Sequence, residues 1–489
     1  MLEVAVFLCG AVVMVMELAA SRVLAPFLGT STVVWTSIIG VMLGAMSLGY
    51  WWGGRLADKS PKTSTLALVI LAASGFTALI GFSRAFIVEM IQYSGSGLHL
   101  GSLQAAMLLF APPAALLGMV APFAARIRLS DCAHAGRTVG RLYALSTLGS
   151  IVGTFAGGFF LISWFGSAAI QFLLAAVLVL ASLLCHAGRW QAKACLAAGY
   201  VGLYLLAAID AGAYAANNIF DVDTPYQRVL IYPSRDFTTG KSTLAMSTGP
   251  EGVQGAVYTD EPEGLALNYT RYLTLAGHFA PGFRSALVLG GGAYAFPRYV
   301  LEHHPEARVD VVELDPGVTR LAREHFHLRD DPRMRLIQED ARTFLNANTA
   351  RYDVIVEDVF NSHASIPFHL TTVEAMRRLS DSLNDRGVLL VNSICALEGP
   401  VSRLYTSLYA TLRAVFPQVH VIRVWTSGDP AAMQNILFVC FKNAEERPWT
   451  SDDEERQARL DRRIEPPSLA GGLVLTDDFA PVERFITGW

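Results

Sequence analysis

The chain has 489 residues, a formal net charge of −4, and only 16% charged against 52% hydrophobic residues. A charge balance so near neutral, with no long basic run, excludes DNA or RNA as an expected partner. The length exceeds one ordinary core and requires at least two folding units. From Met1 to about Tyr214 charges are sparse and apolar runs long, whereas from Asp221 onward Asp, Glu, Arg and His return at globular density. The six cysteines form no C-x-x-C pair and no zinc-type cluster with His, so they read as small buried apolar residues and no metal is expected.

In the first part, seven stretches are long enough to cross ~30 Å of hydrocarbon. They lie near residues 3 to 25, 33 to 53, 64 to 84, 103 to 123, 139 to 162, 167 to 187 and 194 to 213. The first has no basic leader and is interrupted by Glu17, which favours a retained helix over a cleaved signal peptide. Gly40-x-x-x-Gly44 and Gly149-x-x-x-Gly153-x-x-x-Gly157 are small-residue stripes of the kind that lets helix backbones approach in lipid. Glu17 and Arg22, near one end of the first span, read as an interfacial structural pair or as a polar contact for substrate. Arg55, Lys59, Lys62, Arg126, Arg128, Arg137, Arg189 and Lys193 fall on one side, opposed mainly by Arg22 and Arg84. With seven spans that bias puts the N-terminus inside and the soluble part outside; one span fewer returns the soluble part to the cytoplasm. Both readings stay open, in a multi-pass protein of the inner (plasma) membrane.

Between Asp221 and about Asp260, alternating segments at Gln227 to Tyr232, Ser242 to Ser247 and Val253 to Tyr258 predict a small antiparallel sheet. After it, strand candidates at Ala286 to Leu289, Val309 to Val312, Met334 to Ile337, Val354 to Val356 and Val388 to Val391 alternate with helical stretches. That pattern predicts a doubly wound, Rossmann-like parallel sheet, finished by an edge hairpin from Val419 to Trp425 and Ile436 to Phe441. The expected domains are a transmembrane bundle over 1–214, a small β-sheet over 217–262 and the Rossmann-like unit over 263–489.

Ligands bind such sheets at the carboxyl ends of the strands. Gly290, Gly291 and Gly292 follow the first strand and allow close backbone approach to a ligand. Glu313 closes the second strand 21 positions after Gly292, where an acid accepts from ribose hydroxyls. Asp340 follows the third strand, placed to receive an adenine amino group, and Asp358 follows the fourth, where reacting atoms would sit. The loop Gly-Gly-Gly-Ala-Tyr-Ala lacks the G-x-G-x-x-G spacing that admits a pyrophosphate, which favours an S-adenosyl-type ligand and group transfer over NAD and hydride transfer.

Residues from about 221 to 440 resemble spermidine synthase, the polyamine aminopropyltransferase family, and the whole chain resembles its membrane-fused bacterial branch. The resemblance is carried by Thr224-Pro225-Tyr226-Gln227, Leu289-Gly290-Gly291-Gly292, Val311-Val312-Glu313-Leu314-Asp315-Pro316, Asp331-Pro332-Arg333 and Tyr352-Asp353-Val354-Ile355 leading to Asp358. It implies an S-adenosylmethionine-methyltransferase-like sheet, a homodimer, and no tightly bound cofactor. It also implies decarboxylated S-adenosylmethionine as co-substrate and methylthioadenosine as product. Gln227, Glu313, Asp340 and Ala341 would hold the thioadenosine part, with Asp358 as general base, Tyr269 orienting the attacking nitrogen, and Asn361 lining the acceptor site.

Four family positions differ. The Asp of G-G-G-D-G is Ala293, the second Asp of D-x-x-D is Asn361, and the His-Glu after the conserved-type Tyr is Thr270-Arg271. Those acids bind cationic amines, and an unpaired buried charge costs roughly 2 to 5 kcal/mol. Arg271 would repel an ammonium if it pointed inward, and Glu339 and Glu357 are candidates to compensate. His363 and His369 lie near the expected acceptor pocket, and Leu475 to Glu483 reads as a capped turn docking the C-terminal end. The expected function is therefore aminopropyl transfer to a small amine at the bilayer. The alternatives are another S-adenosylmethionine-type transferase and a non-catalytic nucleoside- or polyamine-binding transport or sensory protein.

Overall fold

A computed structural model describes the chain except for residues 130–134, 187, 189, 216–217, 237, 250–251, 360–366, 426–427, 470 and 488–489. It divides into two units, Met1–Arg228 and Val229–Trp489.

The first unit is helical. Five helices are long and apolar enough to cross a membrane: Leu2–Leu28, Thr32–Lys59, Thr63–Ile91, Ala135–Trp164 and Ser167–Cys185. The stretch expected as one span at 103 to 123 is instead a helix pair, Leu98–Leu109 and Ala111–Arg128, bent by 50°. Pro112 and Pro113 supply no amide to the preceding helix, which breaks the hydrogen-bond ladder there. The seventh expected span falls within the helix Trp190–Ala215, which is not among the membrane-length candidates over the described residues.

Glycine positions decide how these helices pack. A Cβ at Gly149 or Gly153 would collide with the carbonyl of Phe7 or Ala11, and one at Gly10 with that of Ser146, so the helices Leu2–Leu28 and Ala135–Trp164 touch backbone to backbone. The Gly40 and Gly44 stripe does not work this way, since a Cβ at either meets nothing within 4 Å. The close face of that helix is instead Gly49 and Gly53, against Ala115, Gly118 and Met119. Ion pairs Arg126–Asp58 and Arg141–Glu3, each 3.0 Å, mark one end of the helices. Near the other end, Arg22 donates to the carbonyls of Thr224 and Pro225. There too, Asp223 of β1 (Phe220–Asp223) accepts from the Ser167 amide at 3.0 Å.

The second unit opens with β2 (Arg228–Arg235), β3 (Ser242–Ser247) and β4 (Gly255–Tyr258), paired antiparallel as predicted. Next come β5 (Ser285–Leu289), β6 (Arg308–Glu313), β7 (Met334–Gln338), β8 (Tyr352–Glu357) and β9 (Leu383–Cys395). The sheet is completed by β10 (Gln418–Arg423), β11 (Gln434–Phe441) and β12 (Arg463–Ile464), in the order β7-β6-β5-β8-β9-β11-β10-β12. From β7 to β9 neighbours are parallel, and the inner strands β5 and β8 with the second half of β9 are buried on both faces, which is why they read as apolar runs, while the outer β7 is only partly covered. The expected edge hairpin differs in one respect. β11 is its inner strand against β9, and the two-residue β12 covers β10 and forms the edge. Chain direction around the sheet reverses between β5 and β8, so the crevice lies at their carboxyl ends.

Candidate functional site

The ends of β5 and β8 lie against each other. The Asp358 amide donates to the Leu289 carbonyl at 2.9 Å, and a Cβ on Gly290, whose φ is +93°, would strike the Asp358 carbonyl. Only glycine permits both that φ and that approach. A Cβ on Gly291 would sit 2.5 Å from the Tyr294 ring. Tyr294 itself is left-handed, at φ +54°, where the family motif quoted above has glycine. That conformation costs roughly 1–2 kcal/mol, offset by a fully buried ring. The Tyr294 hydroxyl lies 2.7 Å from that of Thr319, which also accepts from Gln338 of β7. The glycine loop is thereby clamped to the helix Pro316–His325, which follows β6, and through it to β7.

Glu313, closing β6, accepts the amide of Gly291 with one oxygen and that of Asp315 with the other, each at 2.8 Å. Burial pushes its carboxyl upward, opposed by the amides of Asp315, Gly291 and Gly292. The acid expected to meet ribose hydroxyls thus also fixes the loop beside it. Asp340 caps the helix Ala341–Ala347 through the Thr343 amide at 2.9 Å, while its other oxygen stands 3.5 Å from His369 Nε2. Ala341 is buried at the start of that helix. Arg342 donates to the His369 carbonyl and to Asp477, whose carboxylate also accepts from Thr372 at 2.6 Å. With Val373 donating to the Leu475 carbonyl, this makes the C-terminal stretch the docked turn expected of it.

Asp358 is the most constrained acid of the site. Tyr269, from the helix Asn268–Leu273, donates to its Oδ2 at 2.8 Å, and Asn392 of β9 donates to its Oδ1 at 2.8 Å. Burial raises its pKa, and these two donors oppose the rise. The Tyr269 phenol is itself pushed far up, by burial and then by the carboxylate, so it stays protonated and donates. An aspartate held above its ordinary pKa is a stronger proton acceptor than an exposed one.

The remaining expected residues separate. Gln227 lies in the turn before β2, in the first unit; its amide donates to Thr224 Oγ1 at 2.9 Å, and its carbonyl accepts from Thr224. Asn361 and His363 lie outside the described residues. Arg271 does not point a free charge inward. It pairs with Asp236 at 2.5 Å, contacts Tyr258 Oη at 2.7 Å, and donates to the carbonyls of Leu265 and Ala266. Burial pushes Asp236 up, but bonds from Tyr258, Thr238, Thr239 and Arg271 together hold it well below the ordinary carboxylate range. Ala293 is buried against β4, 2.7 Å from where a Gly255 Cβ would stand, so a methyl group occupies the family's amine-binding position.

Glu357 offers no compensation of the kind considered. It lies in register between Leu289 and Val391, only 1% exposed, with Oε2 unpartnered. Asp358, one residue on, faces the other way, in line with Asn392. The sequence reading missed Asn392, although it closes the Val388–Val391 run just as Glu313, Asp340 and Asp358 close theirs. Among the described residues no cluster of three or more His, Cys, Asp or Glu is placed to hold a metal ion.

A glycine loop after the first parallel strand, acids after the next three, and an antiparallel β11 between β9 and β10 define a Rossmann-like domain of the S-adenosylmethionine-methyltransferase type. Residues 267–446 match the family model of the spermine/spermidine synthase domain. It is similar to the polyamine aminopropyltransferase of Vibrio vulnificus, 30% identical over 204 residues, which are 41% of this chain and 65% of that protein. The chain therefore spans just under two thirds of that relative. It is also similar to polyamine aminopropyltransferase 1 of Streptomyces coelicolor, 26% identical over 438 residues, covering 84% of this chain and 78% of that one. Because the second unit begins only at Val229, this match extends into the helical unit. The crystal structure of a probable spermidine synthase from Corynebacterium glutamicum is 25% identical and covers 53% of this chain and 90% of its own, with a TM-score of 0.40.

Proposed function

We propose that the protein is a membrane-embedded aminopropyltransferase that uses decarboxylated S-adenosylmethionine as donor and a small amine as acceptor. The observation that carries this reading is the buried Asp358, held by Tyr269 and Asn392 beside the Gly290–Gly292 loop. In the step proposed, the acceptor nitrogen gives a proton to Asp358 and attacks the aminopropyl carbon next to the sulfonium. A C–N bond forms, the C–S bond breaks, and its electron pair stays on sulfur, leaving neutral methylthioadenosine. Tyr269 orients the nitrogen and the carboxylate toward each other. Glu313, Asp340 and Ala341 hold the nucleoside, and five membrane-length helices support the embedding.

One observation favours a second reading. With Ala293 at the family's acidic position, no carboxylate there selects the donor's ammonium tail, which suits another S-adenosylmethionine-type donor. Incubating the detergent-purified full chain with each donor and a panel of amines, and following products by mass spectrometry, separates the two. Aminopropylated product that disappears in Asp358→Asn supports the first reading. Methylated product supports the second, and binding of methylthioadenosine without any turnover removes both.

A further inference from the structure

The helical unit holds a carboxylate that nothing around it neutralises. Glu17 lies inside the membrane-length helix Leu2–Leu28, and among the described residues it has neither an ion-pair partner nor a hydrogen bond. Arg22, the cation five positions on, donates instead to the carbonyls of Thr224 and Pro225. Three and four positions from Glu17 on the same helix face, Val13, Ala20 and Ser21 are buried and Met14 is half-buried. The Glu17 side chain therefore turns toward the bundle, and being itself half-buried there it lies where a crevice reaches it.

Two further features stand at the same depth. One end of the bundle is marked by Arg22 and by Ser167, whose amide donates to Asp223. Glu17 is five residues in from Arg22 and Gln171 four residues in from Ser167, about 7 and 6 Å by the rise of an α-helix. Gln171 is fully buried, and neither its amide nitrogen nor its amide oxygen has a partner. Met16 and Ala20 beside Glu17, and Ile170 and Leu174 beside Gln171, belong to one packed cluster. Against the same turn of the first helix lies a π-helical turn, Gly157–Leu161, where a Cβ on Gly157 would touch Leu18 at 3.4 Å and Val15 at 3.5 Å. Single π turns within α-helices are frequent at functional sites.

We propose that Glu17 and Gln171 form a site for an alkylammonium ion inside the helical unit. An unpaired carboxylate at this depth is costly, and a cation relieves that cost. A hard metal ion would need about six oxygen ligands, and the described residues hold no cluster of acids and histidines to supply them. An ammonium group is satisfied by less. Glu17 balances its charge and accepts one N–H, the Gln171 amide oxygen accepts another, and the alkyl chain lies against apolar neighbours such as Val13 and Ala20. Choosing an ammonium ion over a bare proton rests on the transferase reading, whose acceptor is an amine; the unpaired carboxylate does not.

Equilibrium binding of radiolabelled propylamine and putrescine to the full chain in lipid nanodiscs tests the site. Glu17→Gln keeps the shape and removes the charge, and binding at least about tenfold weaker is expected. Gln171→Leu removes one acceptor, with roughly three- to tenfold weaker binding expected. It remains readable if the first variant does not fold, since a leucine leaves no amide unpartnered. Affinities of both variants within about twofold of the parent would overturn the site. So would a parent that binds neither amine, a proton then being what neutralises Glu17. Methylthioadenosine binding by the same samples reports on the second unit and should hold in both variants; its parallel loss would overturn the assignment to Glu17. Failure to form product with every amine, while Glu17-dependent binding persists, counts against the transferase reading alone.

Discussion

Tyr269 and Asp358, 89 positions apart in sequence, meet at 2.8 Å across the crevice, with the phenol as donor and the carboxylate as acceptor. Each changes the other: the carboxylate helps keep the phenol protonated, and the phenol opposes the upward push of burial on the carboxylate. Removing the hydroxyl in Tyr269→Phe is expected to lower kcat roughly 10- to 100-fold, the worth of one hydrogen bond to a charged group. Because a donor to the ionised form is lost, the Asp358 pKa rises further, and the acid limb of the kcat/KM profile moves to higher pH. Asp358→Asn is expected to cost roughly 100- to 10,000-fold, the range for loss of a general base. Rates measured from pH 5 to 9 check both; an acid limb that stays in place in Tyr269→Phe would sink the coupling.

Much of this arrangement was legible because buried parallel strands write themselves as apolar runs and ligand sites follow their carboxyl ends. Glu313, Asp340 and Asp358 were found by that rule. It did not say what each acid would bind. Asp340 caps its own helix, Glu313 holds the loop next to it, and Arg271 turns away because Asp236, 35 positions upstream, sits beside it in three dimensions. The partner of a charge set by strand pairing at such separation is invisible to local pattern. The same holds for β12, whose two residues carry no periodicity and exist as a strand only because β10 needed a neighbour.

Glu357 gives the fold a pH dependence of its own. Burial raises its carboxyl from an ordinary 4.5 to about 8, with one oxygen unpartnered. The folded chain therefore holds this proton more tightly than the unfolded chain does. The resulting stability is complete below about pH 4.5 and is lost as the pH rises through 8, by at most about 5 kcal/mol. Glu357→Gln keeps the shape but cannot ionise, so its unfolding midpoint should vary less between pH 5 and 9 and exceed that of the parent at pH 9. Parallel curves for the two proteins, measured by thermal unfolding in detergent, would show that Glu357 does not carry this dependence.

The two glycine stripes make a matched pair of controls. Gly149→Leu and Gly153→Leu drive side chains into the backbone of the first helix, and each is expected to destabilise the helical unit by roughly 1–3 kcal/mol. Gly40→Leu and Gly44→Leu meet open space and should leave its thermal midpoint unchanged or slightly raised, since leucine is the better helix former. The sequence gives both stripes the same spacing and does not tell them apart. The difference lies in which face of each helix the bundle uses.

Charge at the helix ends bears on the compartment. Glu3 and Arg22 lie on one helix, about 28 Å apart at 1.5 Å per residue. The Glu3 end gathers Arg55, Lys59, Arg126, Arg128 and Arg141, while the Arg22 end receives the segment that leads into the second unit, through Thr224 and Pro225. By the excess of positive residues in cytoplasmic loops, the Glu3 end is expected inside and Phe220 outside. A reporter fused after Gly212 is therefore expected to show external activity, and one inserted in the 124–138 loop internal activity. The external result would remove the enzyme from the cytoplasmic polyamine pool and point to an acceptor other than the usual diamine, in keeping with a methyl group at Ala293 where the family has an acid. A cytoplasmic reporter after Gly212 would overturn the orientation and restore the ordinary acceptor as the first amine to test.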